Sequence, residues 1–316
     1  MPIAKNLPKD GGLTRRIFFT GLLLVLLYGA VIALLIAVGV KFYFVLVIAG
    51  GLMFAQYWFS DKLALWGMHG QIVTPEQAPE LHGAIDRLCA LADMPKPRVA
   101  IADTDIPNAF ATGRSPKAAV VCATSGLLRR LDEPEIEAVL AHELSHVAHR
   151  DVAIMTIAST LGVAAGIATR AMFYAGLFGG GGRGNNQSGQ QLFIIEMFIL
   201  LVSVVVYVIS FLLTRALSRY RELAADRSGA ILIGRPSLLA SALVKITGEI
   251  SRIPTRDLRQ AEAFNAFFFT PAISQAPGPD GRQPFSLAAL FSTHPSLERR
   301  LAQLSELEAQ LGQPSI

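Results

Sequence analysis

Ala138-Val139-Leu140-Ala141-His142-Glu143-Leu144-Ser145-His146-Val147 decides how the rest of the chain is read. The run is mostly apolar and holds a His-Glu-x-x-His pattern with no Gly or Pro inside it. Just before it, Asp132 can cap a helix, Pro134 fits a first helical turn, and Glu133, Glu135 and Glu137 suit the positive end. In a helix, residues four apart lie on one face, one turn above the other. His142 and His146 then present two imidazole nitrogens to one point. Zinc accepts neutral imidazole and carboxylate ligands, and a catalytic site keeps one position open. Glu143 neighbours the same face, where it can move a proton from an attacking water to a leaving amine. The alternative is a helix with two satisfied core histidines and an incidental acid. The chain has only six histidines, which makes a chance match rare.

A site of this kind needs a third ligand. The longer pattern His-Glu-x-x-His-x-x-Gly-x-x-His fails, because His149 stands at the Gly position and Val152 at the last His. The best donor elsewhere is Glu222, within Ser218-Arg219-Tyr220-Arg221-Glu222-Leu223-Ala224-Ala225-Asp226. Glu222 and Asp226 are also four apart. One can ligate while the other accepts a hydrogen bond from the free nitrogen of a ligating histidine and fixes its orientation. On spacing alone, a surface helix with local pairs such as Glu222 with Arg219 is an equal alternative.

Composition places this chemistry at a membrane. Apolar residues make up 52% of the 316 and charged residues 16%, against about 25% charged in soluble domains. Residues 17–40 carry no charge. After Lys41 a second apolar run covers 42–59, a third covers 152–169 and a fourth 192–213. A spanning helix takes roughly 20 apolar residues, so the sequence reads as two hairpins and about four spans. Lys5, Lys9, Arg15 and Arg16 flank the first span and Arg215, Arg219, Arg221 and Arg227 the last, against Lys41, Arg170 and Arg183 between spans. The excess puts both termini and residues 60–151 on the cytoplasmic side. The net charge of +4, without a basic run interleaved with aromatics, argues against nucleic acid. Cys89 and Cys122 form no CxxC pair and read as buried free thiols rather than a disulfide.

The expected organisation is a basic N-terminus (1–16), a membrane hairpin (17–59), a first catalytic half (60–151), a second hairpin with a Gly-rich linker (152–214), and a third-ligand helix with a helical C-terminal part (215–316). Residues 75–92 have helical spacing. Arg98 to Ala102 and Ala118 to Ala123 are β-like, with Asn108-Ala109-Phe110-Ala111 between them, and together they predict a small antiparallel sheet. At a rise of about 1.5 Å per residue, His146 lies roughly 9 Å before Val152 and Glu222 roughly 13 Å beyond Leu213. If the second hairpin is antiparallel, both ligand helices emerge at similar height.

Several stretches together resemble a known family: two N-terminal spans, Pro107-Asn108-Ala109-Phe110-Ala111-Thr112-Gly113, the His-Glu-Leu-Ser-His helix, two more apolar runs, Ser218 to Glu222 with Asp226, and Ser292-Thr293-His294-Pro295. They are similar to the HtpX family of bacterial membrane zinc endopeptidases, relatives of the CAAX prenyl proteases. The resemblance runs from about Arg15 to Leu304. It implies one zinc ion, Glu222 as third ligand, and hydrolysis of misfolded or damaged membrane proteins in envelope quality control, with the catalytic domain facing the cytoplasm. Leu223, Arg227, the Pro/Gly-rich loop around 276–284 and Phe264 to Phe269 depart from the family pattern in ways that bear on substrate preference.

Other residues carry open readings. Asn108 to Ala111 form either an edge strand that receives a substrate peptide or a plain structural strand. His294 is either a donor to the tetrahedral oxyanion or a helix-entry residue before Pro295, with Ser296 as cap. Arg219 and Arg221 suit an anion or lipid headgroups, His149 a capping role rather than a fourth ligand, and Glu196 either a functional or a headgroup-level acid. A zinc-stabilised membrane chaperone without hydrolysis is the rival reading, but a structural zinc site has no need of Glu143. An enzyme for prenylated C-termini is a second rival; it needs a large intramembrane chamber, for which four spans are too few. The sequence does not fix an oligomeric state.

Overall fold

The computed structural model describes residues 11–37, 42–178, 187–252 and 292–312. The N-terminal basic residues through Lys9, Lys41, the Gly-rich linker, the Pro/Gly loop and Phe264 to Phe269 lie outside them, and so does the side chain of Glu196. The described chain is mainly helical. Its helices are α1 (Gly11–Ala37), α2 (Phe42–Trp58), α3 (Ser60–Gly67), α4 (Pro79–Ala92), α5 (Ser125–Arg130), α6 (Glu133–His149), α7 (Asp151–Phe178), α8 (Gln187–Ile233), α9 (Pro236–Arg252) and α10 (Leu297–Leu311). Four strands accompany them, β1 (Gly70–Ile72), β2 (Arg98–Ala102), β3 (Ala109–Thr112) and β4 (Val120–Thr124). Two compact units result. One comprises Met1–Ile17, Tyr57–Ala153 and Ser218–Ile316, the other Phe18–Gln56 and Ile154–Leu217.

In the first unit the strand order is β1-β2-β4-β3. The sheet is mixed, which corrects the antiparallel expectation. β1 pairs β2 and β3 pairs β4 antiparallel, but β2 and β4 run parallel, Val99 opposite Val121. The chain leaves β2, forms β3 at the far edge, and returns into β4 beside β2. Strand direction follows from that path, which local alternation does not encode. The alternation does encode the two faces. Val99, Val121, Ala123 and Ala109 join the larger core with Leu81, Ile85 and Leu88 of α4 and Leu140 and Leu144 of α6. Ala100, Ala102, Val120, Cys122 and Phe110 pack on the other face with Ala64 of α3. Leu304 and Leu307 of α10 complete the larger core with Leu239, Leu243 and Ile246 of α9.

Cys89 lies in the larger core and Cys122 in the core of the opposite face, both as free thiols. Burial pushes the Cys122 thiol up to about 12, so almost no thiolate forms at neutral pH. Cys122 is expected to resist alkylation in the native protein and to react fully in denaturant, as counted by mass spectrometry; native labelling at Cys122 would contradict this packing.

The second unit holds α1 and α2 with the apolar parts of α7 and α8. The Tyr28 hydroxyl donates to the carbonyl of Ile157 and accepts from the N–H of Leu161 at 2.8 Å. Small residues bring α7 and α8 close: a Cβ on Gly162 would sit 3.1 Å from Ser210 Oγ, and one on Gly166 3.3 Å from the Tyr207 ring. Large apolar side chains point outward, among them Val25 at 67% exposure and Leu201 at 61%. That inversion suits lipid and not water. By length and composition, α1 and α8 among the described helices are each able to cross a bilayer. α6 and α7 qualify only when taken together. α6 itself owes its apolar character to protein: Val139, Leu140 and Ala141 are fully buried in the core of the first unit. α2 has 17 residues.

Candidate metal centre and active site

α6 starts as the sequence predicts, with a capping box in which the Asp132 N–H donates to the Glu135 carboxylate at 3.1 Å. It ends at Arg150, in the left-handed region with φ 57°. Within it, His142, Glu143, Leu144 and Ser145 are buried. α8 packs across it. Gly229 makes that approach possible, since a Cβ there would lie 2.7 Å from His142 N and 2.8 Å from His142 Cα. Glu222, Asp226 and Gly229 follow a four-then-three spacing and share one face of α8. The glycine contact therefore aims both acids at the histidines.

The result is a cluster in which one ligand atom each from His142, His146 and Glu222 lies within 4.8 Å of the others. The two Nε2 atoms are 3.1 Å apart. Glu222 Oε1 lies 3.4 Å from His146 Nε2 and Oε2 lies 3.9 Å from His142 Nε2. Ligands at about 2.0–2.1 Å around a tetrahedral ion are about 3.3 Å from one another, close to these separations. Both Nδ1 atoms face carboxylates: His142 meets Asp226 at 2.9 Å and His146 meets Asp151 at 2.6 Å. The His146–Asp151 contact is a hydrogen bond and the His142–Asp226 contact a charge contact; carboxylates so placed favour the protons on Nδ1 and turn two Nε2 lone pairs toward each other. Such an arrangement is repulsive unless a cation lies between them. The donor set therefore fits a metal ion of the zinc class.

Asp226 sits behind His142, is fully buried, and takes a fork from Arg300 with Nε at 2.7 Å and Nη2 at 2.6 Å. Asp151, the first residue of α7, backs His146 and pairs with Arg221. Sequence reasoning missed Asp151, Arg300 and Gly229. Asp151 lies five residues past His146, but the left-handed turn at Arg150 breaks the helical count that would have placed it. His294 Nδ1 lies 3.0 Å from Glu222 Oε2, and its Nε2 is buried without a hydrogen-bond partner among the described residues. Ser296 caps α10 as expected, accepting from the Arg299 N–H. Arg219 donates to the Ser292 carbonyl at 2.9 Å. His149 lies outside the metal-ligand cluster, its Nε2 3.5 Å from Ser228 Oγ. Burial beside Arg221 pushes His149 down to about 4.

Glu143 is held differently. Its Oε2 accepts the main-chain N–H of Ala111 at 2.8 Å. Burial pushes its carboxyl up to about 8; a dication nearby would draw it back down, toward the range that suits a base at neutral pH. β3 is an edge strand. The Thr124 N–H donates to Asn108 O at 2.9 Å, which fixes the antiparallel alternation. Phe110 and Thr112 then face β4, and Ala109 and Ala111 turn their main-chain groups to the open side. A small cleft continues from this edge past His146, lined by Thr112, Gly113, Arg114, Val147 and Arg150 among others. Gly113 allows the turn out of β3, with φ of 124° and the Ala118 carbonyl only 2.6 Å from where a Cβ would be.

Comparison with known proteins agrees with this geometry. The profile of Peptidase family M48 matches residues 75–308. Protease HtpX homolog 1 of Streptomyces coelicolor is 55% identical over 304 residues, covering 96% of this chain and 95% of the relative. Protease HtpX homolog of Moorella thermoacetica is 50% identical over 307 residues, covering 97% and 98%. Among solved structures, S. mikatae Ste24p shares the fold, with a TM-score of 0.53 at 18% identity, over 93% of this chain and 66% of that one. A buried His-Glu-x-x-His helix met by a distant glutamate, apolar helices suited to a bilayer, and relatives matched over nearly their whole length have one common explanation: the chain belongs to peptidase family M48, as a membrane metalloprotease of the HtpX type.

Proposed function

We propose that this protein is a zinc endopeptidase of the cytoplasmic membrane, acting on misfolded or damaged membrane proteins. The observation that carries the reading is the convergence of His142 and His146 on α6 with Glu222 on α8, beside a buried Glu143 tied to an edge strand. In this reading His142, His146 and Glu222 hold one zinc ion and Asp226 orients His142. A zinc ion bound there supplies Lewis acidity to the scissile carbonyl and to the attacking water. Glu143 takes the proton of that water and passes it to the leaving amine, without a covalent intermediate. Asn108, Ala109, Phe110 and Ala111 receive the substrate as an added strand, through the outward main-chain groups of Ala109 and the carbonyl of Ala111, whose N–H is held by Glu143. His294 donates Nδ1–H to Glu222. It serves the oxyanion as well only with both nitrogens protonated, since Nε2 otherwise carries a lone pair.

The membrane arrangement in this reading is four spans, over residues 17–40, 42–59, 152–169 and 192–213, with both termini and the catalytic parts 60–151 and 215–316 cytoplasmic. The excess of Lys and Arg beside the first and last spans supports it. Glu222→Ala tests the metal assignment. Zinc per chain, measured on the purified protein, is expected to fall from one equivalent to a small fraction, and casein cleavage with it. Unchanged stoichiometry would take Glu222 out of the ligand set.

A further inference from the structure

We propose that Arg300 of the C-terminal helix is a positioning residue for the metal centre, acting on His142 through Asp226. The inference rests on the metal-site reading above and extends it to an element 154 residues past His146 in sequence. Arg300 is 1% exposed and is among the largest fully buried side chains. Its guanidinium is engaged at two points with one acid: Nε reaches Asp226 Oδ2 at 2.7 Å and Nη2 reaches Oδ1 at 2.6 Å. The same Oδ1 lies 2.9 Å from His142 Nδ1. Asp226 is 0% exposed and His142 1%, so three groups in line are sealed from water.

A lone carboxylate can rotate about its Cβ–Cγ bond and offer either oxygen to an imidazole. The planar two-point fork removes that freedom and sets the carboxylate plane. His142 is then held in one ring orientation with Nε2 toward His146 and Glu222. A lysine at position 300 would keep the positive charge but lose the second contact. The Arg300–Asp226 contact also ties α10 to α8, while Leu304 and Leu307, one and two turns on, are buried in the core shared with α9. The C-terminal helix is thereby wired to the metal ligand and not only to the core.

The test uses the full-length protein in detergent. Zinc affinity is measured by chelator competition at one pH, and the visible spectrum is recorded with cobalt(II) in place of zinc. Arg300→Lys is expected to weaken zinc binding about 10–100-fold, as loss of an outer partner of a ligand typically does, and to alter the cobalt bands. Asp226→Asn is expected to give a similar loss. The double variant should be no weaker than Asp226→Asn alone, since both remove one chain of contacts. Leu304→Ala loosens the same helix without touching the relay; it should lower the melting temperature and leave zinc affinity within a few-fold of the parent. Arg300→Gln serves as a second replacement. Parent-like affinity in Arg300→Lys overturns the proposal, as do losses that add in the double variant, or equal weakening by Leu304→Ala. If neither Arg300 replacement folds, Arg300 is structural and the proposal is also overturned. Failure of the underlying metal-site reading shows in the parent, which would then bind no zinc.

Discussion

Glu143→Gln is expected to keep one metal ion per chain and to slow cleavage of casein, or self-cleavage, by about 10²–10⁴-fold. Glutamine has the shape of glutamate, and its side-chain oxygen can still accept the Ala111 N–H that Glu143 accepts at 2.8 Å. It cannot take a proton from water. Fold, metal site and edge strand are thus retained while proton transfer is lost. The comparison is made by adding zinc to both purified proteins and following fragment release, with zinc content measured in parallel. Cleavage by the variant at the parent's rate would remove Glu143 from the mechanism.

The same substitution has a consequence for stability in the metal-free protein. Glu143 sits at about 8 in the fold, against an ordinary value near 4.5, chiefly because of its burial. A carboxyl raised in this way binds a proton more tightly when folded than unfolded. Its contribution to stability is therefore full below about 4.5 and is lost as pH rises toward 8. Across that window the loss is on the order of a few kcal/mol, at ~1.4 kcal/mol for each pH unit. Glutamine does not titrate. Stripped of metal, Glu143→Gln should melt higher than the parent near pH 8, and the difference should shrink toward pH 5. Parallel melting curves across this range would show that Glu143 does not carry the burden of burial assigned to it.

Gly229→Ala is expected to damage the metal site as severely as loss of a ligand, although residue 229 touches no metal. The added methyl would lie 2.7 Å from His142 N, 2.8 Å from His142 Cα and 3.0 Å from Ala141 C. All three are backbone atoms in the middle of α6, so no side chain can swing aside. α8 has to back away from α6, and overpacking of this kind costs about 1–3 kcal/mol. The ligands feel it more sharply, because a metal site tolerates errors of only about 0.2 Å in its distances. Glu222 rides on the displaced helix and would leave the two histidines. Zinc affinity should fall by a factor of up to about 100, on the order seen when a supporting contact of a ligand is lost. Gly248→Ala in α9 is the control. A Cβ there meets nothing within 4 Å, and the exchange should stabilise the protein by about 0.5–1 kcal/mol. Zinc binding unaffected by Gly229→Ala would mean that the two helices can part without cost to the site.

Some features were legible because they obey short-range rules. His142 and His146 share a face because the helical repeat fixes positions four apart, and Asp132 and Pro134 mark where that helix starts. The apolar runs at 17–40 and 192–213 announce helices suited to lipid by length alone. The strand at Arg98 to Ala102 appears over the residues its β-branched character suggests. Glu222 was the best third donor by chemistry, but its spacing equally allowed a surface ion pair; the hairpin geometry and the resemblance to known proteases favoured the ligand role.

The tertiary structure decided the rest, and the reason is the same in each case. The parallel β2–β4 pairing depends on where the chain travels between the strands. Asp151 reaches His146 only because Arg150 turns left-handed and ends the helical count. Arg300 meets Asp226 from 74 residues away, and Gly229 matters only because a second backbone passes within van der Waals distance. Local periodicity thus determined which side chains could share a face. Which faces meet, and which buried charges answer one another, was set by packing between elements that no repeat in the sequence connects.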